Sequence, residues 1–211
     1  MTEKKNIKIS TALSSRFRGY LPVVLDIETA GFNASTDAIL EISAVILGMD
    51  DREHLIPEES HTYHVQPFEG SNLDEASLEF TGINPYHPLR IAHPEKEVFS
   101  DLFKHIRKKM KSESCNRAIL VAHNAHFDHS FIRAAAERHN LKRNPFHPFS
   151  SLDTATLSAL SFGQTVLSRA CEAANLEFDN EEAHSARYDA EKTADLFCCI
   201  VNQWKALGGW P

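Results

Sequence analysis

Asp26 and Glu28 stand two residues apart in the apolar run Val23-Val24-Leu25-Asp26-Ile27-Glu28-Thr29. In a strand successive side chains point to opposite faces, so Val24, Asp26 and Glu28 share one face and Val23, Leu25 and Ile27 the other. Neighbours this apolar imply a central strand, where an unpaired carboxylate costs on the order of several kcal/mol. Two like charges side by side need a cation, and ligands that are all oxygen favour a hard ion such as Mg2+ or Mn2+ over zinc. An isolated Asp-x-Glu also has a plainer reading, with one acid meeting solvent at a strand end and the other paired with Arg or Lys. The rest of the chain shifts the balance.

Two further acids lie on helical patterns. Asp128 shares a face with Phe131, Ile132, Ala135 and Ala136, so it points inward with the apolar stripe, although an Asp in a first turn also complements the helix dipole. Over residues 184–207 a long helical pattern carries Ala186, Thr193, Leu196, Phe197, Ile200 and Trp204, and Asp189 lies on that stripe. His184 would fall about 140° away if it were helical, which places it at the mouth of the helix instead. Four acids can together chelate the pair of ions, about 3.5 to 4 Å apart, that two-metal phosphoryl-transfer sites use. An imidazole ionises near neutrality, so His184 could take a proton from an attacking water.

The elements that must position these residues follow from periodicity. The strand holding Asp26 is followed by turn chemistry at Ala30-Gly31-Phe32-Asn33. A second apolar run over 39–47 has strand character, though helix stays open, and a third short strand is expected over 62–65. This makes an antiparallel three-strand start. Residues 74–80 read as a short helix stopping near Gly82. Residues 95–111 form an amphipathic helix through Val98, Leu102, Phe103 and Ile106. Residues 118–122 read as a strand buried on both faces and pass into a helix over 127–139. Residues 143–151, with two prolines and two phenylalanines, read as a loop. Helical patterns over 153–160 and 165–174 are separated by Gly163. His123, His126 and His129 recur every third residue, a superficial zinc spacing, but His123 closes a strand and the three cannot share one helical face.

At 211 residues, with 42% hydrophobic and 24% charged residues, the composition is that of one cored domain. A loosely ordered segment is expected over residues 1–15 and a single domain over 16–211. No apolar run is long enough to cross a bilayer, and no secretory signal is expected near the N-terminus, so a cytoplasmic protein without membrane contact is anticipated. The four cysteines show no C-x-x-C spacing and read as reduced thiols. A formal net charge of -7 argues against a broadly basic protein that coats nucleic acid along its length. Any phosphate contact must be local, at Arg16 and Arg18, at the cluster of Lys108, Lys109, Lys111 and Arg117, or at Lys142 and Arg143; solvated helix ends and loops are the more usual account of such clusters.

The ordered motifs Asp26-Ile27-Glu28-Thr29-Ala30-Gly31-Phe32, His123-Asn124-Ala125-His126-Phe127-Asp128 and His184-Ser185-Ala186-Arg187-Tyr188-Asp189 resemble the histidine-bearing branch of the DEDD exonuclease superfamily. Within that branch the chain is similar to the ribonuclease T family over nearly its whole length, departing from the usual pattern at His126 and Arg187. The resemblance implies an α/β, ribonuclease H-like exonuclease fold, a mixed central sheet flanked by helices. It implies Asp26, Glu28, Asp128 and Asp189 as ligands of two Mg2+ ions, with Mn2+ as an alternative, and His184 as general base. It further implies a homodimeric 3'–5' exonuclease trimming single-stranded 3' ends of stable RNA, including tRNA ends and rRNA precursors, and degrading single-stranded DNA. Phe32, Phe80, Phe127 and Phe149 match positions at which that family stacks terminal bases, whereas the plainer reading puts all four in the core. A proofreading-type DNA exonuclease or an oligoribonuclease shares the five catalytic residues, and a silent nucleic-acid-binding relative would have lost one of them.

Overall fold

A computed structural model of the chain describes residues 12–209. The segment 1–11, most of the stretch expected to be loosely ordered, lies outside the described residues. From Ala12 the chain is built into the fold: helix α1 (Ala12–Arg16) buries Leu13, 1% exposed, in the main core.

The next three elements form the antiparallel unit expected. They are β1 (Tyr20–Thr29), β2 (Ile39–Met49) and β3 (Leu55–Gln66), with β2 pairing antiparallel to both neighbours. β1 and β2 are buried along nearly their whole length, as their Val, Ile and Leu content dictates for strands covered on both faces. β3 is far longer than the four residues 62–65, because Pro57, Glu58, Glu59 and His61 give its first half no apolar alternation in a strand that lies near the sheet edge. Helix α2 (Glu75–Thr81) starts where Asp74 accepts the Ser77 amide and stops at Gly82, whose φ of 67° costs a residue without Cβ nothing in steric terms. β4 (Ala92–Pro94) is a three-residue edge strand parallel to β3. The sequence gives no sign of it, since three residues carry no periodicity.

Helix α3 (Glu95–Ser112) buries Val98, Phe99, Leu102, Phe103 and Ile106. β5 (Arg117–Ala122) then runs parallel to β1, and α4 (His126–Arg138) carries the chain over to β6 (Phe146–Asp153), parallel to β5. The sheet order is β4-β3-β2-β1-β5-β6, a mixed sheet with the strand of Asp26 and Glu28 inside it. The expected loop over 143–151 is therefore corrected. An edge strand tolerates proline because its outward amides need no partner. Ala118 pairs with Phe146 and Leu120 with Ser151, so residues 147–150 bulge out and carry Phe149 away from the sheet.

Helices α5 (Thr154–Phe162) and α6 (Leu167–Ala173) lead to α7 (Ala186–Ala206), which crosses β1, β2 and β3. The two faces of the sheet are told apart by β3. Ser60 borders the same hollow as Glu191 and Asp195 of α7, whereas Tyr63, three residues on and so on the other face, bonds Asp101 of α3. Register then assigns Asp26, Ser43 and Thr62 to the α7 face, and Leu25, Ala44 and His61 to the α3 face. Among the described residues no helix is long and apolar enough to cross a membrane.

Candidate active site

Alternation along β1 brings Asp26 and Glu28 to the α7 face near the end of the strand, and the first turn of α7 brings Asp189 against them. One carboxylate oxygen from each of the three lies within 4.8 Å of the other two. Asp128, in the first turn of α4, completes the quartet: among neighbouring charges it acts on Asp26 most strongly. Burial, and then the charges of Asp128, Glu28, Asp189 and Glu41, hold the Asp26 carboxyl well above the usual carboxylate range. Burial and the Asp189, Glu41 and Asp128 charges push Glu28 to about 8. Burial likewise pushes Asp128 to about 8, against hydrogen bonds from its own amide and that of Ile27. Asp189 is raised by burial too, in part offset by the His184 amide and by the His184 and His123 charges. Each acid is thus held in a place where its charge is costly unless a cation joins it.

The quartet fits divalent cations on a direct observation. Asp189 Oδ1 is buried and meets no hydrogen-bond partner among the described residues, while Oδ2 accepts the His184 amide at 3.1 Å. A buried oxygen left without a donor, facing two more carboxylates, is what a hard cation's coordination shell would satisfy.

His184 stands at the mouth of α7, two residues before its first turn, with φ 68°. Its exposed ring packs on Phe80, 4.5 Å between centroids. The aromatic residues divide. Phe32, Phe80 and Phe149 are 85%, 66% and 80% exposed, so the reading of all four as core is wrong for these three. Phe127 is half-buried, 5.0 Å from Phe131 and 6.2 Å from Phe32 between ring centroids.

The basic residues do not join the quartet. Arg117 pairs in register with Tyr20, so it lies at the far end of β1, six residues and about 20 Å from Asp26. Lys142 and Arg143 are exposed just beyond α4, and Lys142 and Arg117 border one hollow with Arg133. Arg16 reaches the Glu53 carbonyl at 3.5 Å, Arg18 lies over the Tyr20 ring, and Lys111 is exposed in the last turn of α3.

The histidine triplet does not assemble. His123 contacts Thr154 Oγ1 at 3.0 Å and the Thr165 carbonyl at 2.8 Å, and His129 contacts the His147 carbonyl at 3.0 Å. Two acids near the site were missed from sequence. Glu41 pairs in register with Glu28 and adds its charge to the cluster. Asp153 accepts the amides of Asn124 at 2.8 Å, Ala125 at 3.4 Å and Ala155 at 3.2 Å, and the Thr156 hydroxyl at 2.6 Å. It therefore pins the turn that launches α4 while capping α5. The capping role was readable; the link to Asn124 exists only once β5 and β6 are paired.

An acidic quartet converging on a mixed sheet in this way defines a candidate metal-dependent phosphoryl-transfer site, and a family model described as an exonuclease matches residues 23–197. Ribonuclease T of Hahella chejuensis (strain KCTC 2396) is 62% identical over 210 residues, covering 100% of this chain and 96% of the relative. Ribonuclease T of Vibrio cholerae serotype O1 (strain ATCC 39315 / El Tor Inaba N16961) is 61% identical over 212 residues, covering 100% and 93%. The chain belongs to the ribonuclease T family and is a hydrolytic nuclease. Its fold is that of E. coli exonuclease I, solved in complex with a dT13 oligonucleotide, at a TM-score of 0.68 and 16% identity over 90% of this chain. A zinc-ion-bound form of that enzyme with single-stranded DNA gives 0.67 and 16% over 90%. The chain spans less than half the length of these exonuclease I chains, 43% and 42%.

Proposed function

We propose that this nuclease removes nucleotides from single-stranded 3' ends of RNA, trimming stable RNAs such as tRNA and rRNA precursors, with single-stranded DNA as a second substrate. The observation that carries the reading is the convergence of Asp26, Glu28, Asp128 and Asp189 around a buried, unpartnered Asp189 oxygen, with the exposed Phe80 ring packed on His184 beside it. Asp26, Glu28, Asp128 and Asp189 would hold two divalent cations, Mg2+ or in its place Mn2+. Bound there, such ions supply activation of water and stabilisation of the leaving oxygen. His184, exposed beside this cluster, accepts a proton at a ring nitrogen from the attacking water. Its backbone amide, bonded to Asp189, fixes where the ring can swing. Phe32, Phe80 and Phe149 offer open faces on which terminal bases stack without regard to sequence, and Phe127 backs Phe32.

The basic residues sit too far from their own quartet to steady the nucleotide being cut, since about 20 Å exceeds a screening length of about 8 Å. A homodimer in which they hold RNA entering the partner's site makes use of them. The cytoplasm suits the chain, whose cysteines show no C-x-x-C spacing.

The test uses one single-stranded RNA labelled at either end. In Mg2+ the 5'-labelled strand should shorten stepwise and the 3'-labelled strand release labelled mononucleotide first, with both lost in chelator. Internal cuts, or mononucleotide released first from the 5' label, would overturn the reading.

A further inference from the structure

A second set of ligating side chains gathers on the opposite face of the sheet. Glu59 and His61 alternate along β3 toward α3, and His105 reaches them from α3; one ligand atom of each lies within 4.8 Å of the other two. His61 Nε2 stands 3.4 Å from Glu59 Oε2, and the His61 and His105 rings are 4.2 Å apart between centroids. Asp101, one turn before His105 on α3, sets Oδ2 3.6 Å from His105 Nε2 and accepts the Tyr63 hydroxyl at 3.0 Å. Burial and the bonded Asp101 push the Tyr63 ionisation up, so Tyr63 remains a donor.

We propose that Glu59, His61 and His105 bind one transition-metal cation, Zn2+ by the chemistry of its donors, which ties α3 to β3 away from the catalytic centre. Two imidazoles and one carboxylate are the donor set of zinc and its neighbours, whereas Mg2+ prefers oxygen alone. Tetrahedral zinc, with bonds of about 2.0 to 2.1 Å, needs ligand atoms about 3.3 Å apart, and His61 Nε2 and Glu59 Oε2 already stand 3.4 Å apart. The side chains of His61 and His105 are 19% and 34% exposed, which leaves an approach for the ion and room for water as a fourth ligand. A carboxylate beside one nitrogen of His105, itself fixed by a tyrosine, is the arrangement by which proteins orient a metal-bound imidazole. The competing use of these groups is a pair of half-exposed ion pairs, which solvent weakens. His61 lies in the row of Leu25 and Ala44, on the face Asp26 turns away from, so filling this site takes no ligand from the quartet.

The test adds Zn2+ to the whole chain in saturating Mg2+, which keeps the oxygen-only quartet occupied. Calorimetry should count one Zn2+ per chain. At Zn2+ about 100-fold above its Kd, Tm should rise by about 5 °C or more. His61→Ala and His105→Ala should each abolish both effects while keeping wild-type exonuclease activity in Mg2+. Co2+ on the unaltered chain should give the visible spectrum of nitrogen ligation at a four-coordinate site. Zn2+ uptake and Tm rise equal in wild type and both histidine variants, no Zn2+ uptake at all, or a Co2+ spectrum of all-oxygen octahedral ligation would each overturn the proposal.

Discussion

Phe32, Phe80 and Phe149 show how a single ring can be sorted between core and substrate. Burying a Phe fully contributes about 1.5 to 3 kcal/mol, and these three forgo most of it in the isolated chain. Truncation to Ala should therefore leave Tm nearly unchanged and weaken binding of a single-stranded 3' end by about 1 to 3 kcal/mol per ring. Phe127→Ala should differ, lowering Tm as well, because that ring packs on Phe131. Fluorescence anisotropy with hydrolysis blocked by Asp26→Asn, beside thermal melts, separates the cases. Early melting of the Phe32, Phe80 or Phe149 variants with binding intact would return that ring to a structural role.

Among the elements, the start of α4 depends most on a residue outside it. Asn124, at φ 66°, leads into the helix carrying Asp128, and Asp153 holds that turn through two amides while capping α5. Asp153→Ala removes a cap worth about 0.5 to 2 kcal/mol, so Tm should fall by about 1 to 8 °C. Hydrolysis should fall with it as Asp128 loses its fixed position, and Asp153→Asn, which keeps an acceptor oxygen, should be milder on both counts. Circular dichroism melts with steady-state rates check this; an Asp153→Ala chain equal to wild type in both would remove Asp153 from the argument. The same elements show what the sequence can carry. Asp26 and Glu28 on one face of β1, the stop of α2 at Gly82, and His184 outside α7 all follow from local alternation and turn chemistry, and each stands where it was expected. The edge strand β6 hid behind two prolines, β4 is too short to have a period, and Glu41 becomes a neighbour of Glu28 only through inter-strand register. Properties set by pairing between distant segments are the ones periodicity cannot hold.

For the whole molecule, the raised acids make stability depend on pH and on cations together. Glu28 and Asp128 ionise near 4.5 and 3.8 when unfolded and at about 8 when folded, so between those limits the folded chain binds more protons than the unfolded one. Stability of the metal-free chain should accordingly fall as pH rises from about 5 to 8, by on the order of a few kcal/mol in total. His123 and His129, depressed by burial, act in the opposite sense as pH rises through about 6.5, so the diagnostic is the difference between curves. Tm measured in chelator should decline relative to Tm in Mg2+ across this window, and Glu28→Gln should narrow the gap; parallel curves would contradict the assignment. At the same scale, the remote basic residues call for a complementation experiment. An isolated heterodimer of an Asp26→Asn subunit and one with Arg16, Arg18, Lys142 and Arg143 changed to Ala should retain about half the wild-type activity, one competent site of two. An inactive heterodimer or a fully active monomer would exclude action across the dimer.

The acidic quartet is the centre of this account, and Asp189, with its buried unpartnered oxygen, is its most exacting member. The direct measurement is the rate at which Asp189→Asn shortens a 5'-labelled single-stranded RNA at saturating Mg2+, beside wild type and with Tm recorded for both. A loss of at least about 100-fold is expected, beyond what removing an outer-shell partner of a metal site costs, with Tm maintained. A folded Asp189→Asn chain working within about tenfold of the wild-type rate would contradict it.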